Sequence, residues 1–529
     1  MYNAKSRYNQ LATYREQFVR RARDCAKYTL PYLIPEQGTH AGTRFDTPFN
    51  SQTAQGVNTL SSKLVLTMLP STGPFFRLSL ERSLASQTDN IPAPPDQPEQ
   101  SMRTAIENVM AESEMILHQE IERTNIRSVV YEAMRHLIVG GNAVFYVEDG
   151  VAKVFGLTEY VVRRDGDDKV VELIIRENIT HDELPESMKE MFPDSDSSST
   201  PRSGDDPTAL ALYTCCKLID GKWQVYQSVN DQYVEGSEGS YKPEAFPYIV
   251  MRWNRIQSEH YGRSYVEEYL GDVMSLEELT KAIVQGSAVA AKSLYLVEPA
   301  GVTDVTDLEN AENGDYIAGS VKDVNCLQSQ KQLDLRIASE TAGTISQSIQ
   351  RAFLMFGSVQ RNAERVTATE IQIVAQELES ALGGIYSMLA EEFQKPLAQM
   401  FYSKLKKTKK LPNIADESIE LQIVTGTEAL NRASELMRLD QFIATIPPGL
   451  APAVLPSING SEYLLRRAAA LGIKTAGLIK SQEEIAAEQQ QAQQQAMQQQ
   501  LMEKAIGPGI NAMSKATEQQ RELEAEQPE

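Results

Sequence analysis

The chain has 529 residues, of which 41% are hydrophobic and 23% charged, and its formal net charge is −21. That length predicts roughly two to four domains, and so acidic a chain excludes a broad basic face of the kind that wraps nucleic acid. The four cysteines form neither a disulfide framework nor a paired-cysteine zinc site, which favours a reducing compartment. The first residues have no apolar core, and no run of about 18 apolar residues follows, so we expect neither a signal peptide nor a membrane span.

Helices are predicted for most of the first 140 residues. Residues 3–28 form a basic amphipathic helix, for which a solvated surface face is favoured over a site for an anionic partner. A loop-rich stretch follows and encloses one helix, AQGVNTLSSKLVLTML. The prolines of 91–98 indicate a stiff linker. A long helical region then runs from about 99 to 139 and ends at VGGN, where glycine favours a helix stop.

The hydrophobic period then changes from that of a helix to that of a strand. AVFYVEDGVAKVF is typical of a hairpin that turns at Asp149 and Gly150, and EYVVRRDGDDKVVELIIREN of a second hairpin. We therefore predict a β-rich region over 143–253, inserted among helices. Residues 193–207 are a polar insertion that we expect to be mobile. They resemble a calcium loop only faintly, because Ser199 and Asp205 stand where such a loop needs Gly and Glu.

Two later segments are predicted to be long helices, over 264–292 and 334–356. At about 1.5 Å per residue they would extend about 43 and 35 Å. The first is acidic at its start and carries small residues towards its end, and the second is also rich in small residues, which lets helix axes approach closely. From pattern alone an ordinary antiparallel pair inside one core is favoured. The alternative is a projecting pair with 293–333, which is turn-rich and β-prone, at its tip.

A fourth long helix is predicted over 368–407. Thr367 and Glu370 form a capping box at its start, and apolar residues follow at helical spacing. Gly383-Gly384 and Pro396 should bend or break it. The short loop before it, GSVQRNAER, is held between two long helices. Beyond it we predict a strand at SIELQIV, helices over roughly 427–482, a Gln-rich helical segment and a disordered tail.

The sequence carries no signature of an enzyme or of a metal site. The phosphate-binding loop GxxxxGK[ST] and the patterns GxSxG, HExxH and GxGxxG are all absent, and no two histidines are spaced four residues apart. An enzyme is therefore not the leading class, and we expect no cofactor. Two alternatives stay open: a helical enzyme of unrecognised type, and a nucleic-acid-binding or structural adaptor that uses KLKKTKK. For that lysine run a solvated helix end is favoured.

The order of these elements is similar to that of a known family. The segments that carry the likeness, between Tyr28 and Ile479, are YTLPYLIPEQG, GVNTLSSKLVLTMLP, HLIVGGNAVFY, YGRSYVEEYLGDVMSLEELTKAIV, VQRNAERVTATEIQIVAQELESALGGIYSML and LGIKTAGLI. In this order they resemble the portal proteins, or head-to-tail connectors, of short-tailed bacteriophages. The insertion at 193–207 and the Gln-rich tail are the parts least like the family.

The resemblance implies a mainly α fold with an inserted β-rich region, an α+β subunit with wing, stem, clip and crown. It divides the chain as follows: wing 1–260, first stem helix 261–292, clip 293–333, second stem helix 334–356, channel loop 357–366, wing helix and strand 367–425, crown 426–482, and tail 483–529. Twelve subunits would form a ring around double-stranded DNA at one capsid vertex of the virion, after assembly in the host bacterial cytoplasm. The terminase packaging motor and later the tail adaptor would dock at the clip. Capsid and scaffolding proteins would be further partners.

A conduit for DNA should not hold DNA, and this suggests a role for the acidic stem. Repulsion between a carboxylate-lined wall and phosphate would reduce friction, so we expect some of five acids to line the channel: Glu267, Glu268, Asp272, Glu277 and Glu278. Their spacing shows that not all can share one face. In the channel loop we expect Gln360, Arg361 and Arg365 to touch DNA by charge-assisted contacts and to resist its slipping back. The alternative is that the two arginines brace the loop against wing carboxylates.

Overall fold

The structure is a computed structural model. It describes residues 3–36, 39, 43–70, 74–80, 99–179, 184, 189, 210–229, 231–290, 294–327, 332–355, 368–382, 384–411 and 421–424, and isolated positions from 442 onward. The chain divides into two compact units, Met1–Leu430 and Asn431–Glu529. The expectations for 193–207, for the channel loop and for nearly all of the crown and tail lie outside the described residues.

The first unit begins with four helices, whose ends follow from local chemistry. They are α1 (Ala4–Lys27), α2 (Gln52–Met68), α3 (Glu99–Arg123) and α4 (Ile126–Gly140). The Asn3 side chain accepts the Ser6 N–H at the start of α1. α4 ends as predicted at Gly141, which has φ 73°, and a Cβ there would lie 2.6 Å from the Arg263 carbonyl carbon. Only glycine satisfies both conditions.

The helical region predicted over about 99–139 consists of two helices. The chain leaves the helix at Thr124, and Asn125 adopts the left-handed conformation with φ 48°. Asparagine visits that region more readily than most residues, and no proline or glycine marks the break. The periodicity on both sides is unbroken, which is why the pattern gave no sign of the interruption.

The region over 143–253 is β-rich, as predicted. Its strands are β2 (Asn142–Glu148), β3 (Val151–Phe155), β4 (Tyr160–Arg164), β5 (Val170–Ile179), β6 (Leu210–Ile219), β7 (Lys222–Val229), β8 (Gln232–Tyr233), β9 (Gly239–Tyr241) and β10 (Tyr248–Arg252). One sheet has the order β10-β2-β3 and another β4-β5-β6-β7-β8, with β9 on β7. Asp149 and Gly150 have φ 49° and 84°, the turn geometry predicted for the first hairpin. A further ladder joins β1 (Arg77–Leu80) to β13 (Leu421–Val424), which lies within the predicted strand SIELQIV.

One hydrophobic core joins these sheets to the helices. α4 runs through its middle, where Val130, Ala133 and Leu137 are fully buried. α1, α2 and β2 supply further members of the same cluster. The described residues thus form an α+β body, as the sequence predicts. In this part of the chain no helix is long and apolar enough to cross a membrane.

The helix predicted over 264–292 is interrupted at Tyr269. It consists of α5 (Tyr265–Glu268) and α6 (Leu270–Ala290), and it is followed by β11 (Leu294–Val297), α7 (Val305–Asn310), β12 (Val324–Leu327) and α8 (Gln332–Ala352). α6 and α8 are antiparallel: Gly286 lies against Leu335 at one end, and the Tyr265 hydroxyl donates to the Ala352 carbonyl at the other. We call α6 and α8 the arm, and residues 294–327 the tip.

The arm emerges from the body and is not an ordinary pair inside one core. Within α6 only Val273 and Leu276 are buried, both near its start. Farther out Val289 is 63% exposed, and at the start of α8 Leu333 is 73% exposed. In the tip, β11 and β12 form a two-stranded antiparallel ladder, which agrees with the predicted β-prone runs. The projecting interpretation of the pair is therefore the one that these exposures support.

The long helix predicted over 368–407 bends where its glycine pair and proline stand. It consists of α9 (Ala368–Leu382), α10 (Ile385–Leu389) and α11 (Lys395–Lys407), with a π-helical turn over Ala390–Gln394. Gly384 has φ 89° and separates α9 from α10. The wide turn precedes Pro396, which has no N–H to donate to the preceding turn.

Candidate functional site

The acids expected to face a channel have different surroundings, and the first two belong to the body. Glu267 accepts from Arg263 at 3.1 Å and has the Arg21 Nε at 3.7 Å. Glu268 accepts from the Asn254 side-chain amide at 3.2 Å. These contacts join α5, which directly precedes the arm, to α1 and to the chain after β10. Glu267 and Glu268 are therefore engaged with neighbouring groups rather than free to repel an anion.

Glu277 has a structural task that the sequence did not reveal. Its carboxylate accepts the backbone N–H groups of Phe49 and Asn50 at 2.8 and 2.9 Å. These groups belong to the segment that leads into α2. The partners lie 228 and 227 residues away in the chain, so no local pattern indicates the contact. Glu277 thereby holds α6 to the body.

The remaining two acids are those best suited to a repulsive wall. Asp272 and Glu278 are exposed. Neither carboxylate makes a hydrogen bond or an ion pair with any other described residue. At 100° per residue their six-residue spacing places them about 120° apart around the helix. They therefore lie on two different faces of α6, and only one of them can face a given narrow bore.

The expected channel-loop residues Gln360, Arg361 and Arg365 lie outside the described residues, as does the capping residue Thr367. The segments on both sides are described. α8 is followed by Leu354, which has φ 53°, and α9 begins at Ala368. The structure thus shows what the loop is attached to, while its predicted contacts stay predictions.

The tip combines acidic and apolar exposed groups. Its seven acids stand against one lysine, Lys322. Tyr295 and Tyr316 are exposed, and so are Val302 and Val321. The Asp323 carboxylate fixes the turn at Val302, because it accepts the Val302 N–H at 2.8 Å. Such a surface suits contact with another protein, in which apolar groups supply burial and charge selects the partner.

Some cations of the two basic segments make internal contacts, and the solvated face favoured for residues 3–28 is wrong at Arg15, which is buried. In α1, buried Arg15 donates to the carbonyls of Thr158 and Tyr160 at 3.0 and 2.8 Å, which fastens the helix to β4. At the other run, KLKKTKK, Lys404 pairs with Asp149 and Lys410 with Glu120. Lys406, Lys407 and Lys409 are exposed, as expected for a solvated helix end.

Among the described residues, two buried thiols and the buried imidazole of His136 are uncharged at neutral pH. Burial raises the pKa of the Cys25 thiol to about 12 and that of Cys215 to about 11, so neither is a thiolate at neutral pH. Burial and nearby Arg135 lower the pKa of His136 to about 4. Among the described residues no group of three or more His, Cys, Asp or Glu could hold a metal ion.

Comparison with known proteins supplies the family. A family model described as bacteriophage head to tail connecting protein matches residues 2–479. The portal protein of Escherichia phage T7 is 35% identical over 91% of this chain and 89% of its own length. The portal protein of Pseudomonas phage phiKMV is 31% identical over 94% and 96%. A solved structure, the neck of a native GTA particle, shares 12% identity with a TM-score of 0.31 over 80% of this chain and 91% of its own, too low to support an argument. On the sequence matches, the chain belongs to the bacteriophage head-to-tail connecting family, whose members include portal proteins.

Proposed function

We propose that twelve copies of this chain form a ring at one capsid vertex, through which double-stranded DNA enters and later leaves the virion. Family membership supports the connector role. The observation that supports a ring is that apolar residues of the arm remain exposed beyond its base. They include Val284, Val289, Leu333 and Ile337. In a single subunit these groups face water, and neighbouring arms in a ring would cover them.

A ring would also concentrate negative charge, and this favours a conduit for DNA over a protein that binds DNA tightly. Twelve subunits carry twelve times the −21 of one chain, so subunit packing must offset strong repulsion, and assembly should respond to salt and divalent ions. Of the five acids expected to line a bore, Asp272 and Glu278 are exposed, and their carboxylates contact no other described residue. In our proposal the acids that face the bore keep phosphates from settling on the wall.

The channel loop adds a local contact in an otherwise repulsive bore. Gln360, Arg361 and Arg365 supply amide and guanidinium donors, which bind phosphate oxygens by charge-assisted hydrogen bonds. Twelve loops would form a constriction that yields while the motor pushes and resists backward slipping. The bracing alternative, in which both arginines pair with wing carboxylates, predicts poor ring yield when they are changed to alanine.

The tip is the proposed docking site for the terminase motor during packaging and for the tail adaptor afterwards. Its acidic and apolar exposed surface favours partners with basic and apolar faces. The division into wing, stem, clip and crown follows the family pattern, with capsid and scaffolding proteins around the wing and crown. The subunit itself performs no catalysis in this proposal, and it assembles in the cytoplasm of the host bacterium before it joins the virion.

Electron microscopy of the purified protein tests the ring directly. We expect axial views with a central hole and a mass many times the 58.9 kDa of one chain. Lowering the ionic strength should weaken assembly through the repulsion between acidic subunits. Axial views without a central hole, or a monomeric mass at every salt concentration, would overturn the proposal.

A further inference from the structure

A single buried cation connects two segments that are far apart in the sequence. Lys63 lies in α2, and its side chain is only 4% exposed. Its ammonium group donates to the Leu354 carbonyl at 2.9 Å and to a Glu377 carboxylate oxygen at 3.2 Å. Leu354 follows α8, and Glu377 belongs to α9. The contact therefore joins the end of the arm to the helix that the chain enters after residues 356–367.

Burying the Lys63 ammonium group destabilises the fold unless hydrogen bonds and ion pairing offset the loss of water. Its neighbours along α2, Leu60 and Leu64, are fully buried. Removing an ammonium group from water is unfavourable by several kcal/mol unless it is paired and hydrogen-bonded, and an apolar residue would fill the site more simply. The Leu354 carbonyl lies just beyond a helix C-terminus, where partial negative charge collects. One point charge thus donates to two acceptors, the Leu354 carbonyl and the Glu377 carboxylate.

The backbone at the end of the arm is held in an unusual conformation. Leu354 has φ 53°, a region that costs a non-glycine residue on the order of 1 kcal/mol or more. Its N–H donates to Arg351, and the Met355 N–H donates to Gln350. Such a conformation persists when surrounding contacts determine it. The Lys63 ammonium is the contact at its carbonyl.

The rest of α2 holds the base of the same arm. The Gln52 side chain exchanges two hydrogen bonds with Ser346 of α8, at 2.9 and 2.7 Å. A Cβ on Gly56 would lie 2.8 Å from the Phe353 ring, so the helices touch closely there. α2 therefore contacts α8 and the two residues that follow it at three successive places, and Lys63 is the place that also reaches α9.

We propose that Lys63 is a positioning residue that sets the placement of α9 relative to the arm. It thereby determines where the chain leaves α8 and where it continues in α9, on both sides of residues 356–367. This assignment rests on contacts in one subunit. Only its consequence for DNA, that correct placement helps a filled head retain its genome, rests on the proposed function.

Hydrogen exchange on purified protein tests the placement. In Lys63→Met we expect backbone amides of 353–355 and of 374–382 to exchange about tenfold faster, because a buried charged hydrogen bond is lost at both segments. Amides of β4 should be unchanged. Arg15→Met is the matched control, since it removes a buried cation that donates to carbonyls beside and within β4. It should accelerate exchange in β4 and leave 353–355 unchanged.

Glu377→Gln gives a second route if Lys63→Met folds poorly. The Glu377 side chain is 36% exposed, so the variant should fold, and faster exchange in both segments is again expected. Equal exchange in the wild type and in both Lys63→Met and Glu377→Gln would overturn the assignment. So would a general rise in exchange that includes β4, because this would indicate a stabilising role alone.

Retention of DNA in filled heads is the functional measurement. At matched loss of thermal stability, Lys63→Met heads should leak DNA before tail attachment, whereas Arg15→Met heads should not. Altered exchange with full retention would uphold the placement by Lys63 and count against the proposed constriction. Leakage to the same degree in both variants would contradict the positioning role.

Discussion

Glu277 and Glu278 are adjacent in the sequence but have different surroundings. Glu277 turns to the body and accepts two backbone N–H groups, and Glu278 remains in solvent with no partner among the described residues. Asp272 resembles Glu278, whereas Glu267 resembles Glu277 in being engaged. These acids therefore fall into two groups, one engaged with the body and one exposed to solvent, and only the second is proposed to repel phosphate. Charge density alone does not separate them, because both sets of side chains are chemically the same.

A charge-reversal experiment tests this division. Asp272→Lys with Glu278→Lys should leave rings intact but slow packaging, because a cationic wall holds phosphates. The same charge change at exposed positions of the β-rich region, Glu235→Lys with Glu244→Lys, should leave the rate unchanged. A packaging rate in a defined in vitro assay equal to that of the wild type would count against a repulsive role for both arm acids.

His136 provides a prediction about acid stability. Its pKa is lowered to about 4 in the folded protein, from an ordinary value of 6.5, by burial and by Arg135. Between pH 6.5 and 4, His136 therefore binds a proton in the unfolded chain but stays neutral in the folded chain. Stability is lost as the pH falls from 6.5 towards 4, by up to about 3 kcal/mol.

The variant His136→Gln should lose less stability than the wild type over that range, since glutamine does not titrate. Urea unfolding at pH 7, 5.5 and 4.5 measures the difference. Parallel losses in the two proteins would show that His136 does not contribute.

The arm shows how an element depends on its packing. Gly286 faces Leu335 so closely that a Cβ would lie 2.8 Å from its methyl carbon, whereas a Cβ on Gly343 would meet nothing. Small residues in the arm are thus not equivalent. Gly286 permits the close approach of α6 and α8, and Gly343 lies on an open face of α8. The interruption at Tyr269 separates α5, which is fixed to the body, from α6, which projects.

Replacing each glycine by leucine separates the two positions. Gly286→Leu should destabilise the arm by about 1–3 kcal/mol, because the new side chain overlaps Leu335. Gly343→Leu should be neutral or stabilising by up to about 1 kcal/mol through helix propensity. Urea unfolding of the purified protein measures both effects.

A second substitution checks the cause. Leu335→Ala, added to Gly286→Leu, should recover part of the lost stability by vacating space. If the double variant is as unstable as the sum of its single variants, the proposed contact is not the source.

At the scale of the whole molecule, body and arm are distinct in composition and exposure. The body has a continuous core that joins sheets and helices, and the tip has almost none, with Thr303 as its one buried described residue. A segment with so little core of its own is stabilised by local hydrogen bonds such as those of Asp323. Its removal should therefore cost the body little.

Removing the tip tests its docking role. Replacing residues 294–327 by a short glycine-containing turn should preserve the ring, while both the packaging motor and the tail adaptor fail to bind in pull-down assays. Deleting 193–207 is the control, because that insertion is least like the family, and it should leave both dockings intact. Recruitment of the adaptor by the shortened ring would show that docking lies elsewhere.

The sequence by itself determined the features whose causes are local. Turn chemistry at Asp149 and Gly150 predicts the first hairpin, the glycine pair near 384 predicts the bend after α9, and helical spacing predicts both helices of the arm. Ordered motifs along the chain also indicated the family. Each of these signals is contained within a few turns of the chain, so it can be read without knowing what packs against it.

Only the tertiary structure decided which acids are engaged, that the arm leaves the core, and that Lys63 joins two distant segments. The partners of Lys63 lie 291 and 314 residues away, and those of Glu277 lie 228 and 227 away. No local periodicity encodes contacts at such separations. A buried lysine in α2 has the same letter as a solvated one, and its role follows from the dehydration that folding imposes and from the acceptors that folding brings to it.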